Sequence, residues 1–330
     1  MRRNRRIGWG WGSPARRLNG WDTVWVSHTF GLLGVPSSAG ARTPGQEQGP
    51  AAMRRAGFLR LLEEGGLAVR DHGELPLSRW QPDPTTRSPQ NLAAVVAVAT
   101  SVADAVEKIL RAGEVPLVVG GDCTITVGVV AGMLRAGVDP SLLYVDGGVD
   151  LYVPATQPAG HMDSMGVAHL LDEPGSAPGL AGIGPRTPML DPRHVVFFGQ
   201  SAVSVRPAED PRDVEGVVFA KHPFRNYPYE VVTGRAPAAA REARAAIELD
   251  ERPFLVHFDV DVLDFLDCPL ADQPEDRGLL LHEAMACLAV FAGSPRFGGL
   301  VVTEINPDHA DIEGATVRRL AEGVAGALAG

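Results

Sequence analysis

The sequence predicts an α/β fold: three layers, α/β/α, around a mostly parallel central sheet. Short apolar runs alternate with helix-length amphipathic stretches over most of the chain. Four of those runs end in acidic or thiol groups, at Asp146, Asp259, Glu304 and the turn Gly120-Gly121-Asp122-Cys123. In open parallel sheets ligands bind beyond the C-terminal strand ends, so four such endings mark one functional edge.

The first expected strand is 30–36, followed by a Gly- and Pro-rich loop over 37–50. Pro50 suits the first turn of a helix whose apolar stripe is Met53, Phe58, Leu59 and Leu62. A short strand is expected at 67–69, a loop over 74–88 and a long helix over 91–111. The strand 115–119 carries Pro116 at its start, where a missing N–H does least harm. A helix over 124–134 then places Cys123 near a helix N-terminus, which favours thiolate; the alternative is an inert buried cysteine. Further expectations are a strand 142–145, a helix 165–171, a strand 194–199 and an Ala-rich helix 236–249. Helices over 279–291 and 313–328 flank the strand 299–303, and residues 200–235 receive no assignment.

The stretch 254–261 organises the rest. Its apolar run ends in Asp259 and Asp261, two positions apart, which strand alternation turns to one face. Two buried carboxylates on one face are costly unless a cation or donors meet them. A hard divalent metal such as Mn, Mg or Ca is the simplest answer, and two solvated turn aspartates are the alternative.

A chain of 330 residues with 45% hydrophobic content can bury a sizeable core. Its net charge of −10 argues against a nucleic-acid-binding surface. Cys123, Cys268 and Cys287 make no disulfide framework, which suits a reducing cytoplasm. No apolar run reaches the roughly 18 residues that suggest a membrane span. Residues 1–26 hold Arg2, Arg3, Arg5, Arg6, Arg16 and Arg17 with no acid before Asp22 and no apolar stretch of a secretory leader. They are expected to be a disordered basic extension to a single domain over 27–330.

These motifs together resemble the ureohydrolase family of arginases, agmatinases and formimidoylglutamases, over about residues 29–328. Gly120-Gly121-Asp122-Cys123 resembles that family's Gly-Gly-Asp-His, and Asp146-Gly147-Gly148-Val149-Asp150 its Asp-Ala-His-x-Asp. Phe258-Asp259-Val260-Asp261 resembles Phe-Asp-Val-Asp, and Glu304-Ile305-Asn306-Pro307 resembles Glu-Val-Asn-Pro. The loop to Pro50 resembles the family's Gly-rich stretch before Glu-Gly-Pro.

The resemblance implies an arginase-like sheet with a two-manganese cluster at its strand ends. Its metal ligands here would be Cys123, Asp146, Asp150, Asp259 and Asp261. Two family histidines are replaced, one by Cys123 and one by Gly148, which supplies no ligand. Mn is the expected metal, as one ion or two, with Zn or Fe brought into play by the softer sulfur of Cys123. Glu304 matches the glutamate that pairs with the substrate guanidinium. Asp163 matches the loop histidine that shuttles protons; the alternative is an aspartate capping the following helix. Around Tyr152, Gln157 and Ala159, where a substrate's far end would bind, the residues that arginases use for the amino-acid end of arginine are missing.

The expected activity is therefore metal-dependent hydrolysis of a guanidino or amidino C–N bond in a small molecule other than plain arginine. The alternatives are a non-catalytic relative acting as a binding or regulatory protein, and a mononuclear deacylase. A homo-oligomer, trimer or hexamer, is implied by the resemblance alone. His257 shares a strand face with Asp259 at a position that the family does not use for metal, so a role in the core or behind the ligands is expected. His161 lies on the loop beside Asp163.

Overall fold

The computed structural model describes residues 29–200, 214–273 and 277–330. The basic extension 1–26 lies outside the described residues. Eight strands form one parallel sheet: β1 Thr29–Gly34, β2 Ala68–Glu74, β3 Val115–Val119, β4 Ser141–Val145, β5 Val195–Phe198, β6 Arg225–Tyr227, β7 Phe254–Asp259 and β8 Phe297–Thr303. Their order is β2-β1-β3-β8-β7-β4-β5-β6.

Helices cover both faces, which is why the inner strands read as unbroken apolar runs. Every residue of β3, β4, β5, β7 and β8 is buried. On one face, the helices Leu92–Arg111 and Ile125–Arg135 pack closely. A Cβ at Gly128 would stand 2.5 Å from the Ala99 carbonyl oxygen, so the missing side chain sets their spacing. On the other face lie Phe58–Glu64, Ala236–Glu248, Leu281–Ala292 and Ala315–Ala329, over a core that includes Phe58, Leu62, Phe254 and Phe291.

The departures from expectation have local causes. The helix expected after Pro50 is two, Gly49–Arg55 and Phe58–Glu64, because Gly57 between them turns left-handed at φ 85°. The strand expected from His194 starts at Val195, since Pro192–His194 forms a 3₁₀ turn whose Arg193 N–H donates to Asp191 (2.9 Å). The strand expected at 67–69 runs to Glu74 as the sheet edge. There Arg54 grips Asp71 (2.6 and 2.8 Å), and charge protects the edge from further pairing. Within the unassigned 200–235 lie Val214–Phe219, β6 and Tyr229–Val232. Among the described residues no helix is long and apolar enough to cross a membrane.

Candidate metal centre

Four adjacent strands, β3-β8-β7-β4, occupy the middle of the sheet. Neighbouring strands lie about 4.8 Å apart, so groups at their ends fall within reach of one ion. The pairs Val119↔Val302, Phe258↔Val302 and Val145↔Phe258 keep those ends level. Cys123, Glu304, Asp259 and Asp146 therefore emerge side by side, from segments more than a hundred residues apart at the extremes.

They line a cavity of about 50 Å³ with Asp150, Asp163, Ser164, Asp261, Asp272 and Gln273. That volume holds an ion and a little water, not a whole organic substrate. Seven of these ten side chains are acids, and none is basic. The Cys123 thiol donates to Asp259 Oδ2 (2.6 Å), and His257 Nε2 lies 3.2 Å from Asp146 Oδ2.

The two aspartates of the organising stretch meet the cavity in another way than strand alternation would have it. β7 stops at Asp259, and Val260–Val262 is a 3₁₀ turn whose Asp261 N–H donates to Asp259 Oδ1 (2.7 Å). Asp261 itself accepts from the Gly147 N–H (2.8 Å). Asp150 sits at φ 50° and accepts from the Tyr144 hydroxyl. Tyr152 and Gln157, expected at the substrate, are outside the lining; Gln157 donates to the Ser164 hydroxyl (2.7 Å). Asp272 and Gln273, which sequence reasoning passed over, lie inside it because the loop after β7 folds back over the strand ends. Asp272 is held there by Thr43 (3.1 Å) and Asn306 (3.3 Å).

Glu304 follows β8 at φ 61°, a conformation unusual for a side chain of its size. Its N–H donates to the Gly121 carbonyl (3.0 Å), while its carboxylate accepts from the Cys123 N–H (3.1 Å) and Gln46 Nε2 (3.0 Å). Asp163 is set by the Gly-rich loop: its N–H donates to the Gly40 carbonyl (3.0 Å), and the Gly40 N–H donates to Asp122 Oδ2 (3.0 Å). The carboxylate of Asp163 accepts from the Ser164 N–H (2.7 Å) and contacts His161 Nδ1. Asp122 thus links the β3 turn to that loop without lining the cavity.

Burial dominates the electrostatics. It raises the Asp146 carboxyl to about 7 and the Asp122 carboxyl to about 6. Asp150, Asp259 and Glu304 are pushed well above the usual carboxylate range by burial and then by neighbouring acids. Burial lowers the His257 imidazole to about 3, leaving it neutral. The thiolate expected at Cys123 does not hold for the bare site. Burial, then Asp259, Glu304, Asp150 and Asp146, push the thiol up, outweighing a helix start that lies two residues on at Ile125. A divalent cation inverts this logic, favouring carboxylates and thiolate together. The donor set fits one.

The sequence model of the Arginase family matches residues 28–329. The chain belongs to the arginase family. It is 28% identical to human Arginase-1 over 284 residues, 85% of this chain and 86% of that one. The arginase structure from Bacillus caldovelox superposes with a TM-score of 0.79 at 25% identity, over 91% of this chain and 98% of that one. The proclavaminate amidino hydrolase from Streptomyces clavuligerus shares the fold at a TM-score of 0.67 and 21% identity, covering 92% of each chain. Cys123 lines this centre, and Gly148 borders it beside Asp146 and Asp150. A Cβ at Gly148 would stand 3.3 Å from Asp146 Oδ1 and 3.7 Å from Asp150 Oδ1.

Proposed function

We propose that this protein is a metal-dependent hydrolase of a guanidino or amidino C–N bond in a small molecule other than plain arginine. Membership of the arginase family and the likeness to human Arginase-1 support hydrolysis of a guanidino group in general terms. The observation that carries the reading is Glu304, a buried carboxylate with no basic partner among the described residues, facing the proposed metal cluster across one small cavity.

A divalent cation at the cluster that Cys123, Asp146 and Asp259 form beside Asp150 and Asp261 would supply Lewis acidity and lower the pKa of water. Glu304 accepts N–H groups of the cationic substrate. Its two oxygens each keep a lone pair beyond those used by Gln46 and Cys123. Asp163, in contact with His161 Nδ1, is placed to pass a proton to the leaving amine. Water oxygen joins the amidine carbon as one of its protons passes to the Asp163–His161 pair; that pair protonates the leaving nitrogen, the C–N bond breaks, the amine departs, and loss of the remaining hydroxyl proton to solvent leaves urea. The rest of the substrate lies toward a cavity of about 260 Å³ lined by His161, which contacts Asp163, with Arg42, Trp80, Asp83 and Gln90. The Trp80 ring there suits a flat substituent, and the Arg42 guanidinium and Asp83 carboxylate offer polar contacts to it.

Released urea is the readout, with metal-loaded protein and a panel of substituted guanidines. For a substrate so found, Glu304→Gln should lower kcat/KM on the order of 10²-fold, as loss of a buried charge pair does. An unchanged kcat/KM removes Glu304 from the proposed role. No urea from any compound would favour the second reading, a non-catalytic relative, for which the gap at Gly148 is the specific argument.

A further inference from the structure

The donors at this edge are not equivalent. The four that lie within 4.8 Å of one another belong to Cys123, Asp146, His257 and Asp259, all buried. Asp150 and Asp261 stand outside that group. We propose that the centre holds one divalent ion of the zinc, iron(II) or cobalt(II) class on these four residues, with His257 supplying the nitrogen that Gly148 cannot. This rests on the metal dependence proposed above and not on the guanidino chemistry.

His257 precedes Asp259 by two residues on β7, so both side chains leave the same face. The imidazole is held on two sides. It stacks on Tyr144, its register partner on β4, with centroids 4.0 Å apart and planes 5° from parallel. Its Nδ1 lies 2.7 Å from the Thr126 hydroxyl of the helix Ile125–Arg135. A ring nitrogen so engaged fixes the other as the ligand, in the way histidines bound to metal are usually oriented. Nε2 then faces Asp146 Oδ2 at 3.2 Å and Cys123 Sγ at 3.8 Å. Tetrahedral zinc bonds of about 2.0–2.3 Å place ligand atoms roughly 3.3–3.6 Å apart, so small shifts bring these atoms onto one ion.

Asp150 has another partner. Its carboxylate takes the Tyr144 hydroxyl, and Tyr144 in turn carries the His257 ring. Asp150 therefore positions the histidine from behind. Around Asp261 the remaining donors are oxygens, and Gly148 adds none. A mixed sulfur, nitrogen and oxygen set selects borderline-soft ions, whereas an oxygen-only remainder binds Mn or Mg weakly.

The test uses the full chain without a histidine tag, loaded with cobalt(II) and dialysed. Metal per chain, near-ultraviolet absorption and X-ray absorption at the cobalt edge are measured. One cobalt per chain is expected, with a thiolate-to-cobalt band lost in Cys123→Ser and imidazole scattering in the wild type. His257→Phe, which keeps a ring against Tyr144, should weaken cobalt binding at least about 100-fold, and Asp150→Asn by about 10-fold or less. Two cobalt ions per chain, none, or a shell without sulfur and imidazole would overturn the assignment. So would wild-type affinity in a folded His257→Phe variant. The wild-type X-ray spectrum decides even if that variant fails to fold. One cobalt bound in this way, with no urea released from any guanidine, supports the site and overturns the hydrolase reading.

Discussion

Glu304 keeps a left-handed backbone at the end of β8 although glycine would hold it more cheaply. Such strain costs about 1–3 kcal/mol and persists where surrounding contacts over-determine it. Here a backbone bond to Gly121 and side-chain bonds to Cys123 and Gln46 do so. The conformation turns a carboxylate toward the cavity that a regular strand would have sent elsewhere. Gly148 is the converse, a position with no side chain beside two acids of the proposed metal centre. Its Cβ direction points at Asp146 and Asp150, 3.3 and 3.7 Å away, so a side chain there meets both carboxylates once Asp146 gives by a few tenths of an ångström. Gly148→His should therefore raise bound metal from one ion per chain to two, read by elemental mass spectrometry. A count that stays at one would mean that the space beside Asp146 and Asp150 holds no second ion.

Among the elements, the turn after β3 does most to assemble the centre. Gly120 and Gly121 take φ 92° and 85°, so that the chain reverses at the strand end and Cys123 faces β7. A Cβ at Gly120 would lie 2.2 Å from Pro50 Cγ in the helix Gly49–Arg55. Gly120→Ala should cost about 2 kcal/mol or more in urea unfolding, from backbone strain and overpacking together. A loss below about 0.5 kcal/mol would mean that the turn relaxes freely. The inner strands were legible in the sequence because burial on both faces writes them as Val, Leu and Phe runs. The edge strands were less so: β2 was read only at its start, 67–69, and β6 not at all. One of their sides meets solvent or loops, and their residues, such as Arg70, Asp71 and Arg225, carry no strand pattern.

For the whole molecule, burying this cluster should make stability depend on cation and pH. Asp122, Asp146, Asp150, Asp259 and Glu304 all have carboxyls raised by burial, to about 6 and about 7 in the first two. A raised carboxyl contributes stability that is full below its unfolded value near 4 and is lost as pH rises through the folded value. His257, lowered to about 3, acts oppositely: its contribution is present above about 6.5 and lost as pH falls. Exposed aspartates held low, Asp191 and Asp311, titrate below this window. With five acids against one imidazole, the metal-free protein should lose thermal stability between about pH 5 and 7. A bound divalent cation, which displaces those protons, should reverse that trend. Calorimetry with chelator and with cobalt(II) checks it; a Tm that climbs through this window in chelator would contradict the assigned burial energetics.

The sequence by itself determined the class of fold, the central strands and the sheet edge at which Cys123, Asp146, Asp259 and Glu304 gather. Apolar runs that end in acids are a local signal, and right-handed parallel connections leave few ways to arrange them. Tertiary structure alone decided which donors share one point. His257 reads as a core residue along its strand. It becomes a ligand candidate because β4 stacks Tyr144 on it and the helix after Cys123 brings Thr126 to its other nitrogen. Asp150 and Asp261, equal to Asp259 in motif, are drawn aside by Tyr144 and Gly147. Coordination needs atoms converging within a few ångströms from separate elements, and spacing along one segment does not encode that distance.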